Sequence, residues 1–202
     1  MHPMLLEIPT RIETERLYLR PYQAGDGPWY YAMALRNRAH LARYESGNAA
    51  MSLHSEQDAE IAMRRFAADW VARNCFFLGA FCKGDDRFVG QIYVGPQDWS
   101  LPSFVAGYFG DVDQGGQGYI TEAARGALGW LFGSLGAHRV TIYCDDTNLR
   151  SARVAERCGF TREGHLRETH RHGDYPISGD YIYGLLRGEY VHGETSQAGQ
   201  GA

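Results

Sequence analysis

Three glycines within four positions, Gly115, Gly116 and Gly118, constrain this chain more than any other feature. They follow SFVAGYFG, an apolar run of strand length. They precede YITEAARGALGWLFGSLG, where Ile120, Ala123, Ala124, Ala127, Leu128, Leu131 and Phe132 recur at helical spacing. Glycines at this junction let the backbone approach an anion closely. About four N–H groups at a helix start lack intrahelical partners, and the helix dipole adds partial positive charge there. Taken alone, the turn predicts either an anion site, for which a diphosphate fits, or no more than a tight turn. Two nucleotide patterns fail on spacing. The Walker sequence Gly-Lys-Ser/Thr is absent, and the dinucleotide fingerprint requires glycine where Thr121 stands.

The remaining chain supplies the frame. Leu17 and Leu19 alternate with Arg16, Tyr18 and Arg20 in a first strand closed by Pro21. Asp26 precedes a helix, WYYAMALRNRAHLARY. Ser55 to Asp58 reads as a capping box with Asp58 as the acidic partner, and Ala59, Ala62, Met63, Phe66, Ala67 and Trp70 continue at helical period. CFFLGAFC and RFVGQIYVG flank the turn Gly84-Asp85-Asp86 as a hairpin. Gly136 caps the glycine-turn helix. HRVTIYC is a further strand, Asn148 opens a short helix stopped by Gly159, and DYIYGLLR alternates as a last strand. No linker or repeat divides the chain, and the order predicts one α/β domain with a mixed sheet. Residues 1–11 read as an extension, 12–190 as the domain, and 191–202 as a disordered polar tail.

Composition excludes other classes. A net charge of −4 and the absence of a basic stripe argue against nucleic-acid binding. No run approaches the roughly 20 apolar residues of a membrane span, and the start lacks an export signal. Cys75, Cys82, Cys144 and Cys158 show no CxxC spacing, and three lie in apolar runs, so they read as free core thiols of a cytoplasmic protein.

The segment GYFGDVDQGGQGYITEAARGALGWLF resembles the central motif of the GNAT superfamily of N-acetyltransferases, without a gap. ETERLYLRP and TNLRSARVAERCGFTREGHLRE, with Asn148, Ser151, Gly159 and Phe160 in register, resemble its ribosomal-protein N-terminal acetyltransferase branch. The resemblance implies a GNAT-like α/β domain: a mixed, mostly antiparallel sheet with a splayed parallel pair, flanked by the four helices read above. It implies acetyl-CoA as co-substrate, no metal, and a primary amine as acceptor, with a homodimer a common state of relatives. The diphosphate would sit on Gly115, Gly116, Gln117, Gly118, Tyr119, Ile120 and Thr121. The pantetheine arm would pair near Phe109, Gly110 and Asp111. Gly115 and Ile120 depart from the family pattern, which has Gln or Arg and then a small residue there.

The resemblance also implies direct attack by the amine, so no cysteine acts as nucleophile. The tyrosine that many members use as acid corresponds to Ala155, which moves that role to Ser151, beside Asn148 on one helix face. Glu45, Tyr44 and Tyr108 fall where the acceptor site is expected. The acceptor must lose a proton before attack, to a water relay or to a carboxylate such as Glu45, Asp111 or Asp113, each of which otherwise reads as a solvated surface charge. His170 and His172 form an HxH that no Cys or carboxylate completes as a metal set. A second class remains open, a module that binds acyl-CoA without turning it over.

Overall fold

The computed structural model describes residues 2–190. Its elements are β1 (Ile12–Glu13), β2 (Leu17–Pro21), α1 (Gly27–Ala42), α2 (Glu56–Ala72), β3 (Phe76–Cys82), β4 (Phe88–Asp98), β5 (Ser103–Gly110), α3 (Tyr119–Gly133), β6 (Arg139–Asp145), α4 (Leu149–Arg157), β7 (Thr161–His170) and β8 (Ser178–Leu186). They form a sheet of 8 strands ordered β1-β2-β3-β4-β5-β6-β8-β7, in which only β5 and β6 run parallel. The mixed sheet and the splayed pair are as expected. β1, too short to carry a period, was not foreseen. The 191–202 tail lies outside the described residues.

Strand alternation divides the core between two faces. In β3, Phe76, Leu78, Ala80 and Cys82 join the cluster under α3 and α4, while Phe81 joins the cluster under α1 and α2. This double burial is why CFFLGAFC reads as nearly continuous apolar sequence. Trp70 of α2 joins the α3 cluster rather than the α1–α2 one: it stacks on Trp130 of α3 at 5.6 Å, with Phe76 edge-on to both rings. Leu6 and Ile8 of the N-terminal extension pack on the α3 face, and the Arg73 guanidinium donates to the Leu6 carbonyl.

The Ser55 cap forms, with its hydroxyl accepting from the Asp58 N–H at 3.0 Å. Asp58, however, reaches back to the His54 N–H, one residue before the cap, instead of to Ser55. Asp26 makes no cap bond to α1. Its carboxylate instead receives the Arg20 guanidinium and the Trp29 indole N–H. All four cysteines are free thiols. Among the described residues, no helix is long and apolar enough to cross a membrane.

Candidate active site

The parallel pairing of β5 with β6 runs only through Ser103↔Arg139, Phe104↔Val140 and Val105↔Thr141. β5 continues to Gly110 and β6 to Asp145, so the strands part and leave backbone edges facing a cleft. Which β5 groups face it follows from the β4 ladder. The Asp111 N–H donates to the Val89 carbonyl at 3.0 Å. Alternation therefore turns Phe109 toward β4 and Tyr108 and Gly110 toward the cleft. The expected stretch Phe109–Asp111 thus offers Gly110 as its free backbone group.

The glycine turn closes the mouth of this cleft. Residues Val112–Gln114 form a 3₁₀ turn capped by the Asp111 side chain. Gly116 and Gly118 then adopt φ of 81° and 78°, the left-handed region that glycine occupies without a Cβ penalty. Gly118 is the N-cap of α3, and the first helical bond runs from the Glu122 N–H to the Gly118 carbonyl. The N–H groups of Tyr119, Ile120 and Thr121 precede that bond and have no helical acceptor. A side chain at Gly115 or Gly116 would meet nothing within 4 Å, so the turn is open above its backbone. This space and these donors fit a diphosphate.

Ile120 has an explanation that its family comparison lacks. A Cβ at Gly90 would lie 2.2 Å from the Ile120 Cδ1, and one at Gly110 would lie 3.0 Å from its Cγ1. Two strand glycines make room for the larger side chain.

The charge beside the turn comes from a residue that the sequence reading passed over. Arg16 donates from Nη1 to the Gln117 carbonyl at 3.1 Å and from Nε to Glu122 at 2.6 Å, and lies over the Tyr119 ring. Its Nη2 is 3.7 Å from where a Cβ on Gly118 would stand. The signal was present in ETERLYLRP, but alternation alone marks Arg16 only as the polar face of a strand. Gln114 accepts from Gln117 within the turn at 3.3 Å.

Across the cleft, the Asn148 side chain caps α4 by accepting from the Ser151 N–H at 3.1 Å. The Tyr108 hydroxyl donates to the Ser151 carbonyl at 2.8 Å, joining β5 to α4. Burial pushes the Tyr108 phenol well up, which keeps its proton on. The Cys144 thiol, beneath the start of α4, donates to the Asp145 carbonyl at 3.4 Å and the Asn148 carbonyl at 3.6 Å. Ala155 is 0% exposed, so a tyrosine at this position would have no room.

Asp111 is not a solvated charge. It is 2% exposed, and its carboxylate accepts from Arg36 at 2.5 Å and Asn37 at 3.0 Å. Burial raises its pKa, but these bonds outweigh burial and hold it below the ordinary range. Asp113 is exposed and 3.3 Å from Arg36.

A cavity of about 320 Å³ opens on the other side of β5, lined by Glu45, Asn48, Phe77, Gln91, Tyr93 and Tyr108 among others. Glu45 is therefore a wall of this cavity, not a solvated charge. Burial raises its pKa, and an Asn48 hydrogen bond opposes this only in part. Tyr108 touches both cavity and cleft. Tyr44 does not line the cavity and instead lies beneath the Arg43 guanidinium. Gln91 lines it unforeseen, because a lone polar residue in RFVGQIYVG reads as an outward-facing position.

His170 and His172 each meet one carboxylate: His170 lies 2.6 Å from Asp180 and His172 lies 3.6 Å from Asp145. His172 also bonds Ser46 at 3.0 Å. Among the described residues, no group of three such side chains is arranged to hold a metal.

The profile of the Acetyltransferase (GNAT) domain matches residues 16–161. Probable N-acetyltransferase YjcK of Bacillus subtilis (strain 168) is 36% identical over 98 residues, which is 46% of this chain and 52% of that protein. The match thus spans about half the length of that relative. Uncharacterized N-acetyltransferase YnaD of the same organism is 23% identical over 183 residues, 89% of this chain and 98% of the relative. The fold is shared with RimL, a ribosomal L7/L12 alpha-N-protein acetyltransferase solved with coenzyme A (TM-score 0.79, 18% identity, 87% of this chain and 97% of that one). Mycobacterium smegmatis RimJ, solved with CoA-disulfide, has the same fold (TM-score 0.79, 22% identity, 92% and 90% covered). The splayed pair and its glycine turn fall inside the matched stretch, and the chain belongs to the GNAT acetyltransferase family.

Proposed function

We propose that this protein is an acetyl-CoA-dependent N-acetyltransferase that passes the acetyl group directly to a primary amine. The observation that carries the reading is the position of Tyr108. It borders the splayed cleft on one side of β5 and the cavity with Glu45 on the other. A thioester in the cleft and an amine in the cavity would meet there.

The residues divide the work. Backbone N–H groups from Gly116 to Thr121 hold the diphosphate, and Arg16 adds positive charge beside them. The cleft-facing backbone at Gly110 pairs with the pantetheine arm and supports the developing oxyanion, a contribution of roughly 2.7–4 kcal/mol per donor in other enzymes. Glu45, ionised, receives the proton that the ammonium must lose before attack. The amine nitrogen then forms its bond to the acyl carbon as the carbon–sulfur bond breaks. The Ser151 hydroxyl hydrogen-bonds the departing sulfur and serves as acid. Its place in the first turn of α4, where the Asn148 side chain and the Tyr108 hydroxyl hold the Ser151 backbone beside the cleft, supports this role. The acceptor is a small amine or a protein N-terminus, such as the ribosomal-protein substrate that the name of RimL records.

The test is release of free thiol from acetyl-CoA with a panel of amines. Turnover is expected, with kcat lowered about 10²-fold or more in Ser151→Ala. An unchanged kcat in that variant would remove Ser151 from the mechanism. CoA binding without turnover by any amine would favour the non-catalytic module.

A further inference from the structure

Gln91 is 2% exposed, in β4 and paired across the sheet with Phe109. Its Oε1 accepts from the hydroxyls of Tyr22 at 2.9 Å and Tyr30 at 3.1 Å, both deeply buried. Among the described residues, each phenol proton has this oxygen as its acceptor. Turning the amide over would strand both protons, so the hydroxyls fix its orientation. The Nε2 then carries two donors with no hydrogen-bond partner among the described residues, on a side chain that lines the cavity. The Nε2 is not one of the fully buried atoms left without a partner. It opens on the cavity, where its hydrogens are free to be met by what enters. Glu45 lines the same cavity with an acceptor carboxylate.

The cavity thus has two unlike poles. Glu45 attracts an ammonium. Gln91 offers hydrogens, repels an ammonium and favours a neutral oxygen. Phe77 and Tyr93, with ring centroids 4.9 Å apart, form an apolar wall at the same cavity. We propose that Gln91 selects the acceptor by donating from Nε2 to a neutral carbonyl oxygen on the same molecule as the amine that Glu45 receives. This rests on the cavity being the acceptor site of the proposed acetyl transfer. Tyr22 and Tyr30 act as positioning residues by aiming the amide.

The experiment compares alaninamide with isopropylamine, which replaces the carboxamide by a methyl group. Binding of each to the CoA-loaded protein is measured by calorimetry, without turnover. The wild type is expected to prefer alaninamide by about tenfold. Gln91→Met and Gln91→Glu are expected to abolish that preference while leaving CoA affinity unchanged. Gln91→Met strands the two phenols, whereas Gln91→Glu keeps an oxygen for both, so the pair separates lost recognition from lost fold. A preference that survives in both variants overturns the proposal. So does equal weakening of the two amines, or a wild type that binds both equally or neither. Failure of the acetyl-transfer reading would appear separately, as wild-type binding of the amines without thiol release.

Discussion

Gly118 stands at φ 78°, where an L side chain costs about 1–2 kcal/mol, and a Cβ there would point toward the Arg16 guanidinium. Gly118→Val should therefore tilt the first N–H groups of α3 away from their common focus and abolish CoA binding in a calorimetric titration. Gln114→Ala removes only a contact of 3.3 Å to Gln117 and should leave that titration unchanged. Glu45 gives a pH prediction at the same scale. Burial raises its pKa, so it loses its proton later than the ordinary carboxyl at about 4.3. Only the ionised form accepts the ammonium proton, so kcat/KM should rise as pH climbs through that raised value. Glu45→Gln should flatten this limb and lower kcat/KM by about 10²-fold or more. A limb of the same shape in the variant would assign the ionisation to another group.

The meeting of α3 with β4 and β5 depends on glycines that no helix pattern reveals. A Cβ at Gly90 would stand 2.2 Å from the Ile120 Cδ1 and 2.5 Å from the Phe109 carbonyl oxygen. Gly90→Ala should cost about 1–3 kcal/mol, read as a lowered denaturant midpoint. Adding Ile120→Ala should restore only part of it, because the clash with backbone remains. Period 3.6 made the α3 stripe legible in the sequence, and double burial made β3 legible as a continuous apolar run, since both patterns are local. The strand–turn–helix order located the glycine turn for the same reason. The partners of that turn were not legible. Arg16 meets Gln117 across 101 positions and Asp111 meets Asn37 across 74, and no window of sequence contains either contact. Gln91 was not singled out because alternation assigns faces but not what covers them. Here, Tyr22 and Tyr30 cover a polar side chain that would otherwise mark a surface.

Three carboxylates are held by guanidinium groups, the first locally between β2 and α1 and the other two between distant segments: Arg20 to Asp26 at 2.7 Å, Arg36 to Asp111 at 2.5 Å, and Arg16 to Glu122 at 2.6 Å. In each, burial raises the pKa, but hydrogen bonds and the facing guanidinium outweigh it and leave the group below its ordinary value. The unfolded chain therefore takes up protons first, near the ordinary values of about 3.9–4.3. Stability from these links is complete above that range and falls as pH drops through the lower folded values. Two thiols bring the opposite sign. Burial raises Cys75 and Cys158 to about 11, whereas an unfolded thiol ionises near 8.5. Between those values the unfolded state holds fewer protons than the folded one, so stability declines as pH rises. The thermal midpoint should accordingly be level near neutrality, fall below about pH 4, and fall again above about pH 8.5. Buried tyrosines, whose pKa burial also raises, titrate on the alkaline side as well. The thiol share is the difference between wild type and a Cys75→Ser, Cys158→Ser variant, whose midpoint should decline less steeply there. Parallel declines in the two proteins would exclude the thiols, and a midpoint that rises on acidification would exclude the three carboxylate links as a source of stability.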